Sequence, residues 1–171
     1  MRGSVIPIIE LTQRVAEQGT EAVLATLGRF VLVGETDQEE ASSWAFATST
    51  MVSPAVAADL GAGFDYERGV VYVIEKRTAT FPHVILLGRS RSNDVQIEHH
   101  SISKLHARIR MADEAFELED AGSLNGTFVG PDRITSPVTV SSGDRIGFGV
   151  REFTVQKSER FVQVLRRIGF L

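Results

Sequence analysis

Apolar positions near the start of the chain recur at helical spacing, then give way to short alternating runs. Ile8, Leu11, Val15, Val23, Leu24 and Leu27 fall near a 3.6-residue period. Gly19-Thr20 interrupts the stripe, so the pattern predicts two short helices or one broken helix. "RFVLVGE" reads as a strand bounded by Gly28 and Gly34, and the polar "TDQEEASS" as a loop. "WAFATST" puts Trp44, Phe46 and Thr48 on one face, which suits a second strand. "SPAVAADLGAGFDYERG" has the Gly, Ala and Pro content of a hinge.

From Val70 the character changes. "VVYVIEK", "HVILLG", "DVQIE", "HARIRM", "AFELED", "GTFV", "VTVSSG", "DRIGFG" and "REFTVQ" are β-favouring runs, each closed by turn residues. Many short strands at regular spacing predict an all-β sandwich or barrel rather than βαβ units. "SERFVQVLRRIGFL", residues 158–171, returns to helical period. Ser158 is placed to cap this helix, and Phe161, Val162, Leu165 and Ile168 form a stripe expected to dock on the body of the protein.

Composition adds exclusions. With 43% hydrophobic and 23% charged residues, the 171-residue chain has the balance of an ordinary globular protein. It has no cysteine, which removes thiol nucleophiles, disulfides and Cys-based metal sites. No apolar run approaches the ~18 residues of a spanning helix, and "MRGSVIPIIELTQ" does not have the form of a secretory signal, so a cytoplasmic location is expected. Charge is unevenly spread. Residues 1–75 carry 4 basic and 11 acidic side chains, residues 76–110 carry 7 and 2, and residues 111–171 carry 7 and 9. A short basic island in an acidic chain points to a local anion site and away from a nucleic-acid surface, which usually makes a whole domain basic.

The island contains "SISKLHARI", where Ser103 and His106 raise the question of a nucleophile and its base. Such a pair needs an orienting acid and oxyanion donors. Asp94 and Asp120 are available by count alone, and no Gly-x-Ser-x-Gly elbow surrounds Ser103. His106 heads a strand, where residues three apart point to opposite faces, so the two side chains are expected to do unrelated jobs and no catalytic residue is assigned. Arg89 follows Gly88 at the end of an apolar strand; its planar fork of donors suits two oxygens of one phosphate, which Lys cannot match. Gly88 is expected to let the backbone turn so that Arg89 leaves the sheet. Ser103 and Lys104 add a hydroxyl and an ammonium on a loop. Asn125-Gly126 is a tight-turn signal, and by itself such an Asn commonly satisfies its own backbone. His83, His99 and His100 have no Cys or carboxylate cluster beside them and read as solvent-facing or loop-packing residues, and Gly143-Asp144 as a turn.

Four motifs, "LLGRSRSNDVQI", "SISKLHARI", "LEDAGSLNGTFVG" and "SSGDRIGFG", occur in order. Together they resemble the forkhead-associated (FHA) domain over about residues 68–157. The resemblance implies an antiparallel β-sandwich, preceded by a helix-strand extension and hinge in residues 1–67 and followed by an amphipathic helix in residues 158–171. It implies a non-catalytic phosphothreonine-dependent interaction module acting as a signalling adaptor. The expected partner is a protein phosphorylated on threonine, with no cofactor, metal, nucleic acid or membrane. Phosphopeptide contacts would fall to Arg89, Ser103, Lys104 and Asn125. Gly88, His106, Gly126 and Thr127 would be structural, with the His106 ring buried under the binding loops. Leu124 departs from the family pattern, where Ser or Thr commonly stands and touches phosphate. The alternative is a phosphate-independent interaction module on the same fold.

Overall fold

A computed structural model describes residues 5–36 and 64–168. The strand expected at "WAFATST" and most of the Gly/Ala/Pro hinge fall outside those residues.

Strand β1 (Val5–Pro7) leads into helices α1 (Ile8–Gln18) and α2 (Thr20–Leu27), followed by β2 (Phe30–Glu35). The break between the helices is Gly19, whose φ of 86° is left-handed backbone that glycine adopts without strain. A 3-10 turn at Tyr66–Arg68 precedes β3 (Gly69–Ile74). Then come β4 (Ile85–Gly88), β5 (Val95–Gln96), β6 (Ala107–Met111), β7 (Ala115–Asp120), β8 (Thr127–Val129), β9 (Asp132–Arg133), β10 (Val138–Ser141), β11 (Arg145–Phe148), β12 (Arg151–Lys157) and α3 (Ser158–Ile168).

These strands form a sandwich. One sheet has the order β1-β3-β2-β12-β11-β8-β9, the other β10-β7-β6-β4-β5. Pairing is antiparallel except between β4 and β5. Between the sheets lies a core that includes Phe30, Leu32, Tyr72, Leu87, Ile109, Phe116, Phe148 and Phe153.

The larger sheet is covered on its other face too. Val31 and Val33 of β2 and Val71 and Val73 of β3 form a second core with Ile8, Leu11 and Val15 of α1, Val23 and Leu27 of α2, and Phe161, Leu165 and Ile168 of α3. A strand buried on both faces cannot alternate, which is why "FVLV" and "VVYVI" are unbroken apolar runs. Residues 5–36 are thus built into the sandwich, with β2 hydrogen-bonded between β3 and β12. Ser158 differs from its expected capping role. It is the first residue of α3, and its hydroxyl donates to the Leu27 carbonyl at 3.3 Å, tying the end of α2 to the start of α3.

Candidate functional site

The loops that carry the candidate residues are joined to one another by hydrogen bonds. Arg89 stands one residue beyond β4. Its backbone N–H donates to the Ser103 carbonyl at 2.9 Å, and its Nε donates to the Ile102 carbonyl at 3.1 Å. Two bonds to the neighbouring loop fix the guanidinium, and no described residue takes up its terminal nitrogens. Lys104 is exposed, and its ammonium likewise has no partner among the described residues. Ser103 Oγ accepts the Leu124 N–H at 3.0 Å, which leaves the hydroxyl proton available to a ligand oxygen. Asn125 Nδ2 donates to the Ser101 carbonyl at 2.8 Å. Arg89, Ser103, Lys104 and Asn125 therefore sit on one connected set of loops.

Gly88 differs from expectation in its reason. It is still in β4, with no left-handed φ. A Cβ there would lie 2.4 Å from the Lys104 carbonyl oxygen and 2.9 Å from Asn93 Nδ2. The missing side chain admits the next loop. Asn93 Nδ2 completes the junction, donating to the Ser90 and Lys104 carbonyls at 2.9 and 2.6 Å.

Asn125-Gly126 also differs from the expected turn between paired strands. β7 and β8 belong to different sheets, so residues 121–126 cross the end of the sandwich. Asp120 organises that crossing: its carboxylate accepts the Gly122 and Ser123 N–H groups and the Ser123 and Thr127 hydroxyls. Burial pushes this carboxyl up, and those four donors outweigh it, leaving it below the ordinary range. Gly126 has a φ of 94°, and a Cβ on it would meet the Arg133 guanidinium at 2.7 Å.

His106 is fully buried and bridges two loops. The Ser103 N–H donates to Nδ1 at 3.1 Å, so that nitrogen is unprotonated, and Nε2–H donates to the Gly126 carbonyl at 3.0 Å. Strand β6 starts at Ala107, one residue after His106. The opposite-faces argument for Ser103 and His106 therefore does not hold: Ser103 lies in a loop that folds back to bring its main chain to the ring. The hydroxyl goes elsewhere, to Leu124, and both ring nitrogens are occupied by backbone. Burial lowers the His106 pKa, partly opposed by the Gly126 carbonyl and by Asp120. The neutral ring is the one that fits. Its contribution to stability is complete above the ordinary value of 6.5 and is lost as pH falls from there through the lowered folded value. His106→Ala is expected to cost about 3 kcal/mol, through a cavity and an unpaired N–H and C=O. Melts from about pH 7 to about pH 5 should fall less steeply in the variant than in wild type. A variant as stable as wild type would remove this role.

The basic island separates into two parts. Lys76 pairs with Asp94 at 2.8 Å, and Arg110 bridges Glu117 and Glu119 at 3.0 Å each, with Arg108 3.8 Å from Glu119. Arg89, Arg91 and Lys104 remain on the loops. Ser101, Asn93 and Asp94 are bracing residues outside the set expected from sequence. The buried Ser101 hydroxyl contacts His99 Nδ1 at 2.8 Å and accepts the Val150 N–H at 3.2 Å. His99 also lies against His100, ring centroids 4.2 Å apart. Among the described residues no group of His, Asp and Glu could hold a metal ion, and no helix is long and apolar enough to cross a membrane.

Residues 85–149 match the model of the FHA domain, a span that contains every candidate residue. The chain carries an FHA domain. Outside the matched span, β1, β2, β3, β12 and the three helices complete the sheet and its second core. The chain is 35% identical to an oxoglutarate dehydrogenase inhibitor of Corynebacterium diphtheriae over 81 residues, 47% of this chain and 52% of that one. It is 34% identical to the glycogen accumulation regulator GarA of Mycobacterium tuberculosis over 62 residues, 36% of this chain and 38% of that one. The chain thus spans about half or less of the length of these relatives. A solved structure of Mycobacterium tuberculosis EmbR with a low affinity phosphopeptide overlays with a TM-score of 0.46 and 21% identity, covering 84% of this chain and 30% of that one.

Proposed function

We propose that the protein is a non-catalytic reader of phosphothreonine on a partner protein, a signalling adaptor in which Arg89, Ser103, Lys104 and Asn125 make the contacts. One observation carries the reading. Arg89 is anchored by its Nε and main chain, so its terminal nitrogens are held on loops that also carry the Lys104 ammonium and the Ser103 hydroxyl. A guanidinium and a hydroxyl held by main-chain bonds before any ligand arrives, with a mobile ammonium beside them, suit a dianion with three accepting oxygens. Recognition of phosphorylated motifs by clustered basic side chains is a known mode of FHA domains. The relatives named as an inhibitor and a regulator suit a protein that acts by binding. In this reading residues 68–157 are the reading unit, and α1, α2 and α3 support it from behind.

The test is calorimetric titration with phosphothreonine, phosphoserine and unmodified threonine versions of one peptide. Only the phosphothreonine form should bind well. Equal binding of all three would favour a phosphate-independent interaction module. Asn125→Ala should weaken the phosphothreonine complex by about 1–3 kcal/mol with the melt near wild type, since a ligand contact and the brace to Ser101 are lost from an exposed turn. Unchanged affinity would assign Asn125 to loop structure alone.

A further inference from the structure

Three consecutive carbonyls hold the side chains at the candidate site. That of Ser101 accepts Asn125 Nδ2 at 2.8 Å, that of Ile102 accepts Arg89 Nε at 3.1 Å, and that of Ser103 accepts the Arg89 N–H at 2.9 Å. Whatever fixes the main chain at Ser101 therefore sets where Arg89 and Asn125 stand.

Ser101 is buried and gripped from two directions. On one, a Cβ on Gly149 would lie 2.6 Å from both the Ser101 carbonyl oxygen and Oγ, and the Val150 N–H donates to Oγ at 3.2 Å. On the other stands the half-buried His99. The Ser101 N–H donates to His99 Nδ1 at 3.2 Å, and Nδ1 lies 2.8 Å from Ser101 Oγ. A ring nitrogen that accepts an N–H carries no proton. The hydroxyl, which already accepts from Val150, therefore donates its own proton to Nδ1. The His99 carbonyl closes the same loop by accepting the Ile102 N–H at 3.1 Å. Nδ1 is thus a double acceptor, and it serves only while unprotonated.

We infer that His99 is a positioning residue for the phosphothreonine site, acting through Ser101, and that protonation of its ring weakens binding. The inference rests on the phosphothreonine reading above and concerns the regulation of that site. Once protonated, Nδ1 sets a donor against the Ser101 N–H, and the Ser101 hydroxyl loses its acceptor. Imidazole is the side chain whose charge ordinarily changes between about pH 5 and about pH 8. Charges of both signs bear on it. The His100 ring lies 4.2 Å from that of His99, and it and the loop cations Arg89 and Lys104 disfavour a charge there. Glu98, the preceding residue, favours one, while its carboxylate also accepts from Gln96 Nε2 at 2.8 Å. The sign follows from the acceptor role: the brace is complete above the titration of His99 and is lost as pH falls through it.

His106 and the phosphate itself, whose last proton leaves near about pH 6, titrate in the same range, so the reference is a variant that changes neither. In His99→Asn the amide Oδ1 takes the branch position of imidazole Nδ1, accepts two hydrogen bonds and does not titrate. One phosphothreonine peptide and its unmodified counterpart are titrated by calorimetry into wild type, His99→Asn and His99→Ala, from about pH 7.5 to about pH 5.5. At the upper end Asn should bind within about threefold of wild type, and Ala about five- to tenfold more weakly. At the lower end wild type should fall about fivefold or more behind Asn, a ratio from which the phosphate and His106 cancel. In the free protein, nitrogen shifts of the His99 ring should show Nδ1 without a proton near about pH 7.5, and the Ser101 amide should follow the ring's titration. A flat ratio with phosphate dependence intact overturns the inference and leaves the phosphothreonine reading standing. So does a ratio that moves the other way, which would make His99 a cation drawing in the phosphate. A neutral ring that carries its proton on Nδ1, or Ala binding like wild type, overturns it as well. Failure of the phosphothreonine peptide to outbind its counterpart at any pH sinks both proposals together.

Discussion

Arg89→Ala is expected to remove phosphate-dependent binding almost entirely, by about a hundredfold or more in affinity. Two features of its setting make the effect large. Its backbone N–H and Nε are bound to the Ser103 and Ile102 carbonyls, so the guanidinium is held in place before the ligand arrives and little side-chain entropy remains to be lost. Its loop neighbour Lys104 is a flexible point charge that cannot supply a two-point contact. Arg89→Lys should fail nearly as badly. Lysine keeps the charge but has no Nε–H for the Ile102 carbonyl and no fork for the phosphate. Calorimetry with one phosphothreonine peptide against wild type, Arg89→Lys and Arg89→Ala distinguishes geometry from plain charge. Lysine restoring near-wild-type affinity would mean a diffuse basic patch. Alanine binding as well as wild type would end the phosphothreonine reading.

The residues proposed to face the ligand stand out in the sequence more readily than the residues that hold their loops. Arg89, Ser103 and Asn125 stand in short motifs whose side-chain chemistry is meaningful locally. The braces take their meaning from distant backbone. Asp94 bonds Arg77 and Thr78, Asn93 bonds Lys104, and Ser101 contacts Val150. No local pattern announces those partners. The signal present was the polar pair Asn93-Asp94 directly before the apolar "VQI", an expensive place for an acid unless its oxygens are satisfied. Charge counting misled in part, because Lys76, Arg108 and Arg110 belong to ion pairs away from the loops, whereas Arg89 and Lys104 do not.

The strands from Val70 onward were legible because β-favouring runs closed by turn residues report their own limits. The two-residue β9 was not, since it exists only through Phe128↔Arg133 and Val129↔Asp132. Sheet membership was hidden as well. Apolar runs in β2 and β3 show burial on both faces, but the sequence does not say that helices from both ends of the chain cover the second face. Nor does "SLNGT" reveal that its strands lie in different sheets. That placement sets Asn125 beside Ser101.

Asp94 carries the largest expected effect on stability. Its side chain is fully buried and has four donors: Lys76 Nζ at 2.8 Å, the Arg77 and Thr78 N–H groups at 2.7 Å each, and the Leu86 N–H at 2.8 Å. Burial alone would push this carboxyl up. The Leu86 N–H, the Lys76 ammonium and the Arg77 and Thr78 N–H groups outweigh it and hold the value at about 2, against an ordinary 3.8. Because the folded value is depressed, the contribution of about 2 kcal/mol is complete above the ordinary value and is lost as pH falls from there through about 2. Asp94→Ala, which strands three main-chain donors and a cation, should cost about 3–5 kcal/mol in urea unfolding near neutral pH. Asp94→Asn should be nearly as harmful. One amide oxygen can still accept from Arg77 and Thr78, but the amide NH2 is then set against the Lys76 ammonium and the Leu86 N–H, donor facing donor. Binding should weaken with stability, since Asp94 directly follows Asn93, whose side chain joins the Arg89 and Lys104 loops. Asn at 94 with wild-type stability and an unchanged acid limb would show that the shape of the group, and not its charge, holds this junction.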